Sequence, residues 1–264
     1  SAFYLINAIE LLNQPGEWYA DVKSGKVYYW PREDEDMTTA EAIVPRLETL
    51  VSVAGSPDYP VSQIQFRGIT FSHTSWLRPS MAGHVPIQVG IYLLDAYKLQ
   101  VPGTKDKAAL ENQWWGGRQA AGVALTGADH ILFSRCRFAN MAATGLDFIS
   151  ATNHNTAQGC LFRDIGGTAV QIGFFGDAGF EGHVPYDPAD RRWICRHELI
   201  SDNLITDCAN EDWGCVGISV GYASDINIQY NEICDVHYSG ICIGWGWTKT
   251  VNCMRNNRVY ANHI

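Results

Sequence analysis

At 264 residues with 46% hydrophobic content, the chain can bury a sizeable core, as one elongated domain or as two compact ones. A formal net charge of −9, a pI near 5.3 and the lack of any basic run argue against nucleic acid or an anionic membrane as partner. No segment reads as a membrane span, while nine Trp and twelve Tyr suit gripping flat apolar faces such as sugar rings.

The apolar run from Phe3 to Asn13, stopped by Pro15 and Gly16, predicts a short helix. Residues 16–31 predict a hairpin, with Glu17–Asp21 and Lys26–Trp30 flanking a turn at Lys23-Ser24-Gly25. With the charged loop Arg32–Met37, this makes residues 1–46 an N-terminal addition to a single domain that runs over 47–264. From Leu50 the pattern shortens to alternation: Leu50–Val53, Ile64-Gln-Phe66 and Ile69-Thr-Phe71 predict three short strands.

Residues 72–121 break that rhythm as a long insertion carrying His73, Trp76, His84, Trp114, Trp115 and Arg118. A second insertion, 173–198, holds Phe174, Phe175, Phe180, His183, Tyr186, Asp187, Asp190, Arg191 and Arg192. Long irregular insertions in a compact fold are usually functional or disordered, and aromatic, mixed-charge content argues against disorder.

Around the insertions the sequence repeats. Gly217-Ile-Ser-Val-Gly221 returns as Gly240-Ile-Cys-Ile-Gly244 after 23 residues, and Gly122–Leu125 returns as Gly145–Phe148 at the same spacing. Ala169–Ile172 fits the same series. Cys136, Cys160, Asn203, Asn231 and Asn256 each open a further short run, which predicts an inward ladder of amides and thiols at one turn. Three strands per period without intervening helix predict an all-β fold, a right-handed parallel β-helix whose coils must stack to bury their inner faces.

The eight cysteines contain no CxxC pair, so a zinc knuckle is not expected. Free buried thiols are expected, although a Cys208–Cys215 disulfide would also close its loop. In the first-strand sheet the residues expected to point outward are Ala124, Asp147, Gln171, Ser219 and Cys242. With one insertion entering that sheet and the other leaving it, these residues are expected to floor a groove between aromatic walls.

The stretches Gly16-Glu-Trp-Tyr-Ala-Asp21, Val27-Tyr-Tyr-Trp-Pro31 and Tyr238-Ser-Gly-Ile-Cys-Ile-Gly-Trp-Gly-Trp247 resemble bacterial right-handed β-helix proteins that act on carbohydrate. The chain looks most like the β-helix glycoside hydrolases with fucosidase and xylan-directed members. The resemblance implies a secreted, periplasmic or cell-surface bacterial protein acting on a plant or host polysaccharide. Members of such families continue for several coils past the position matching Ile264, so part of the site is expected outside this stretch. The resemblance assigns no catalytic residue here.

From the residues themselves, Asp147 is the leading catalytic candidate, because a strand interior disfavours Asp unless solvent or ligand meets it. As a groove carboxylate it should tolerate Asn with a stability change within about 0.5 kcal/mol. Glu211 and Asp212 are its candidate partners, two rows away, on the order of 10 Å at strand spacing. Gln171, Trp213, His237, Tyr238, Trp245, Trp115 and Arg191 are candidate substrate contacts, with Arg191 equally able to pair with Asp187 or Asp190. Asp164, Asp207 and Asp235 recur after the third strand and read as turn residues. The expected activity is glycoside hydrolysis by paired carboxylates. A polysaccharide lyase and a non-catalytic carbohydrate-binding module are the alternatives. No cofactor or catalytic metal is expected, a structural calcium is left open, and oligomeric state is not legible.

Overall fold

The computed structural model describes residues 7–77, 85–93, 115–176, 180–181, 185–246, 249 and 251–264, those at 85, 86, 93, 115, 116, 180 and 181 by backbone alone. No helix among them is long and apolar enough to cross a membrane. The chain divides into two compact units, Ser1–Val44 and Pro45–Ile264, where the sequence suggests one domain with an addition over 1–46.

In the first unit Trp18–Asp21 pairs antiparallel with Lys26–Tyr29, as expected. The Asp21 carboxylate accepts from the Lys23 and Ser24 amides, and Gly25 takes the left-handed φ of 66° that the turn requires. The helix expected over 3–13 is a single 3-10 turn at Ile9–Leu11, with residues 3–6 outside the described part. Its continuation is blocked because the Glu17 carboxylate claims the Asn13 and Gln14 amides.

The second unit is built from three parallel sheets that the chain visits in rotation. The first holds Val51–Ala54, Ala121–Thr126, Thr144–Ser150, Val170–Ile172, Val216–Val220 and Ser239–Ile243. The second holds Gln65–Arg67, Leu132–Ser134, Thr156–Gln158, Leu199–Ser201, Asn227–Gln229 and Arg258–Tyr260. Thr70–Ser72, Arg137–Met141, Leu161–Ile165, Leu204–Cys208 and Glu232–Val236 form the third. Register is as the repeats imply: Val123, Leu146, Val170, Ile218 and Ile241 face one another across the first sheet.

Alternation sends one face of every strand into a shared core. Leu146, Phe148, Val170, Ile172, Ile218 and Val220 are all buried there. Ile241 is half-buried and Ile243 is 39% exposed, because no further strand pairs beyond theirs among the described residues. Like side chains stack on like: Phe66 on Phe133 at 4.9 Å, and Phe71, Phe138 and Phe162 at 5.1 and 4.5 Å. These separations are the strand spacing itself, so each ring covers the next.

Corners are where backbone groups would be left without partners. Most rungs turn there on a single left-handed residue: Asn140, Asp164, Asp207 and Asp235 at one corner, His130, His154, His197, Asp225 and Asn256 at another. Asn, Asp and His tolerate that conformation best among residues with a side chain, which explains the recurring Asp residues.

Beside the turns run two amide ladders. Asn203 Nδ2 donates to Asn231 Oδ1 at 2.9 Å, and Asn231 Nδ2 donates to Asn262 Oδ1 at 2.9 Å. Cys136 and Cys160 occupy the same column with free thiols directed at backbone carbonyls, and all eight cysteines are free. Asn256 and Asn257 do not belong to this column, contrary to the sequence reading: Arg258–Tyr260 pairs with Asn227–Gln229 in the second sheet. Two Asn ladders with the same local signature cannot be told apart from sequence alone.

The second ladder contains Asn155, Glu198 and Asn257. Glu198 is fully buried and accepts from Asn155 N at 2.7 Å and Asn155 Nδ2 at 3.2 Å. Burial pushes its carboxyl up to about 8, against the hydrogen bonds from Asn155 that pull it down. A raised folded-state value favours the protonated form, so its contribution to stability is complete below the ordinary value of 4.5 and is lost as pH rises towards 8. Glu198→Gln, which mimics the neutral acid, should flatten the loss of stability across that window and leave the variant more stable than the parent at pH 8, as read by urea unfolding at several pH values.

Candidate functional site

The described parts of the two insertions do not wall opposite sides of an open groove. Val85–Pro86, Ile91–Leu93, Trp115–Arg118 and Phe180–Glu181 pair antiparallel into one small sheet, with Phe180 opposite Gly116. Around it Val89, Ile91, Phe175, Ile194, Val216, Tyr222 and Trp245 form a second apolar cluster, against which the outward-facing Cys242 packs. The insertions therefore roof the middle of the first sheet. His84, Trp114, His183 and Trp247 lie outside the described residues, and so does the side chain of Trp115.

Under this roof the outward row is interior. Ser52 is exposed and Ala124 and Cys242 are half-buried, whereas Asp147, Gln171 and Ser219 are buried. Asp147, 1% exposed, is held by both arms of Arg118: Nε and Nη2 donate to its two carboxylate oxygens. The remaining arm, Nη1, donates to Gly173 O at 2.8 Å, and the guanidinium lies 5.0 Å from the Phe175 ring centre. One guanidinium thus ties the end of the first insertion both to the first sheet and to the start of the second insertion. Burial pushes the Asp147 carboxyl up and the Arg118 charge and hydrogen bonds pull it down. Asp147 points outward as the alternation requires, but it meets an arginine and not solvent, so its expected place on a groove floor is corrected.

Gln171 and Trp245 are corrected for the same reason. Gln171 is fully buried, its Oε1 accepting from Thr144 Oγ1 at 3.4 Å, and the backbone of Gly90 lies so close that an added Cβ would come within 2.9 Å. Trp245 is 7% exposed, packs edge-on against Phe175 and donates from Nε1 to Phe175 O at 2.9 Å. Asp212 is buried as well: Gln119 Nε2 donates to its carboxylate, and its own carbonyl receives the Cys215 amide. Burial, then Asp212, pushes the Cys215 thiol up to about 12. Arg191 pairs with Asp187 in its own loop, the structural one of the two roles its sequence allowed.

Several of the described residues singled out from sequence gather at the corner between the third and first sheets. Glu211, Trp213, His237 and Tyr238 are all exposed there. Trp213 and His237 stack at 5.7 Å with an interplanar angle of 6°, and Tyr238 Oη accepts from Gln88 Nε2 at 2.9 Å. The loop carrying Glu211 and Trp213 is held from below, by the Glu211 and Asp212 amides on Gly166 O, and from the side, by the Val89 amide on Gly214 O. Gly214 must be glycine, because a Cβ there would fall 2.0 Å from Ile87 O. Asn210 Nδ2 bridges the carboxylates of Asp164 and Asp207 beside the loop. Here are an exposed carboxylate, an aromatic ring with a backing imidazole and a phenol on one edge. Of the residues singled out from sequence, the structure gathers Glu211, Trp213, His237 and Tyr238 here and removes Asp147, Asp212, Gln171 and Trp245 to the interior. Sequence reasoning missed Arg118 and Gln119 as the partners of the buried acids; their place at the end of the first insertion was the available signal.

Residues 1–32 match the family described as the GH141 insertion domain. A solved structure titled "Glycoside hydrolase" is similar over 97% of this chain, with 49% identity and a TM-score of 0.86. The chain spans 44% of the length of that protein. A comparison with curated proteins gives no match.

Removing one member of a buried ion pair strands the other charge, at a cost of about 3–5 kcal/mol, whereas replacing both by apolar groups is often close to neutral. Asp147→Asn should therefore lower unfolding stability by several kcal/mol, roughly tenfold more than a surface substitution. Combining Arg118→Met with Asp147→Leu should recover most of the loss in urea unfolding.

Proposed function

We propose that this chain is the right-handed parallel β-helix part of a glycoside hydrolase, binding a polysaccharide or oligosaccharide chain along the corner that carries Glu211, Trp213, His237 and Tyr238. The observation that carries the reading is the likeness to a glycoside hydrolase at 49% identity across 97% of the chain. The match of residues 1–32 to the GH141 insertion domain supports it independently. The fucosidase- and xylan-directed resemblance is its narrower form, and a plant or host polysaccharide its expected substrate.

Trp213 offers a flat apolar face for a sugar ring, and His237 behind it limits its motion. Glu211 is the exposed member of the three carboxylates singled out, so it is assigned the acid or base role; Asp147 and Asp212 hold the scaffold. A hydrolase of this kind works with a second carboxylate. On this reading the protein acts outside a bacterial cell. Burial pushes the Cys160 thiol up to about 11 and Cys195 up to about 12, so these two carry little reactive thiolate.

The test is sugar release by the full-length protein from a panel of plant and host glycans. Hydrolysis yields reducing ends without the ultraviolet-absorbing unsaturated sugar that a lyase leaves. Glu211→Gln should lower kcat by about 100- to 10,000-fold, and Trp213→Ala should raise KM. Unchanged turnover in Glu211→Gln would remove that residue from the chemistry. Saturable binding without turnover on any glycan would favour a binding module.

A further inference from the structure

At the corner between the first and second sheets, Asp129, Asn153 and Arg196 are bridged rung to rung, and the residue after each is a histidine. His130, His154 and His197 all turn the chain in the left-handed conformation, with φ of 56°, 53° and 57°. Identical backbone geometry on neighbouring rungs projects the three side chains the same way. Their rings stack, His130 on His154 at 5.0 Å and 15°, and His154 on His197 at 4.7 Å and 20°.

Asp129 is the hub of this column. Its Oδ1 lies 2.9 Å from His130 Nδ1 and 4.0 Å from His154 Nδ1, and it also accepts from Asn153 Nδ2 at 3.3 Å. The ligand atoms of Asp129, His130 and His154 all lie within 4.8 Å of one another, the one such group of three among the described residues. Ions bound at 2.0–2.2 Å in tetrahedral geometry set their ligand atoms about 3.4 Å apart. The separations of 2.9 and 4.0 Å from Asp129 Oδ1 bracket that value, so small rotations of exposed rings would close the site. Imidazole nitrogens with one carboxylate suit zinc, nickel or copper better than calcium or magnesium, which prefer all-oxygen shells.

We propose that Asp129, His130 and His154 form a binding site for a borderline divalent cation such as Zn²⁺, Ni²⁺ or Cu²⁺, clipping two adjacent rungs together at this corner. His197 stacks on the outer ring and restricts its orientation. Asn153 fixes the carboxylate, as partners behind metal ligands commonly do. The site lies on a different corner from Glu211 and Trp213, so its occupancy is a matter of scaffold stability and not of the hydrolytic step. An ion that binds the folded chain but not the unfolded one raises Tm in proportion to its affinity and concentration.

The experiment titrates the full-length protein with Zn²⁺ by calorimetry and with Cu²⁺ by electron paramagnetic resonance, with thermal unfolding followed alongside. The expected result is saturation at one ion per chain, nitrogen hyperfine coupling in the copper spectrum and a raised Tm. His154→Ala and Asp129→Asn should each weaken affinity at least about tenfold, the scale on which even indirect partners of metal ligands act. Circular dichroism reports whether these exposed-site variants stay folded. Cys234→Ser, which removes the exposed thiol, should bind as the parent does. Failure to saturate, parental affinity in both His154→Ala and Asp129→Asn, or loss of binding in Cys234→Ser would each overturn the proposal.

Discussion

The structure of the second unit depends on register. Each strand offers its core two or three apolar side chains, too few to bury alone, so every rung relies on its neighbours for both cover and hydrogen bonds. A slip of one residue would turn Leu146 and Phe148 outward and Asp147 inward. That slip is resisted on every rung by the columns themselves. Phe138 fits over Phe162, and Asn203 reaches both its own rung's neighbour and the next Asn in line. The corners permit this stacking only because a left-handed residue turns the chain at nearly the same place each time.

The same register fixes what lies on the outer face. Once Asp147, Gln171 and Ser219 are aligned, a polar row faces outward from the middle of the first sheet. Left in water it would be a groove floor. The described strands of the two insertions instead close over it, and the ion pair between Asp147 and Arg118 is the polar anchor of that closure. A buried charge is tolerable only with its partner in place, so Arg118 and Asp147 act as one unit. The exposed polar and aromatic side chains lie at the neighbouring corner, where the loop of Trp213 is held by Gly166 and Val89 and Tyr238 is held by Gln88.

Much of the scaffold was legible because its physics is local and repeated. Alternation in Gly217–Gly221 and Gly240–Gly244 gives the inward and outward faces directly, and the recurring Asp164, Asp207 and Asp235 mark a corner. The roof was not legible. Its strands come from segments far apart in the chain, and an alternating pattern records which way Asp147 points but not what arrives to meet it. The short helix failed for a related reason: apolar composition suggested it, while a carboxylate at Glu17 captured the amides needed to extend it. Misplacing Asn256 shows the limit of motif matching between two ladders that satisfy the same need at different corners.

In the proposed reading, the buried acids hold the scaffold and a carbohydrate chain lies along residues 209–215 and 236–239. Hydrogen–deuterium exchange of the full-length protein, with and without a saturating oligosaccharide product, separates this account from a groove over the first sheet. The account predicts slowed exchange in 209–215 and 236–239, with 146–148, 170–172 and the roof strand 115–118 unchanged. Protection confined to 146–148 and 170–172, with the corner unaffected, would contradict it.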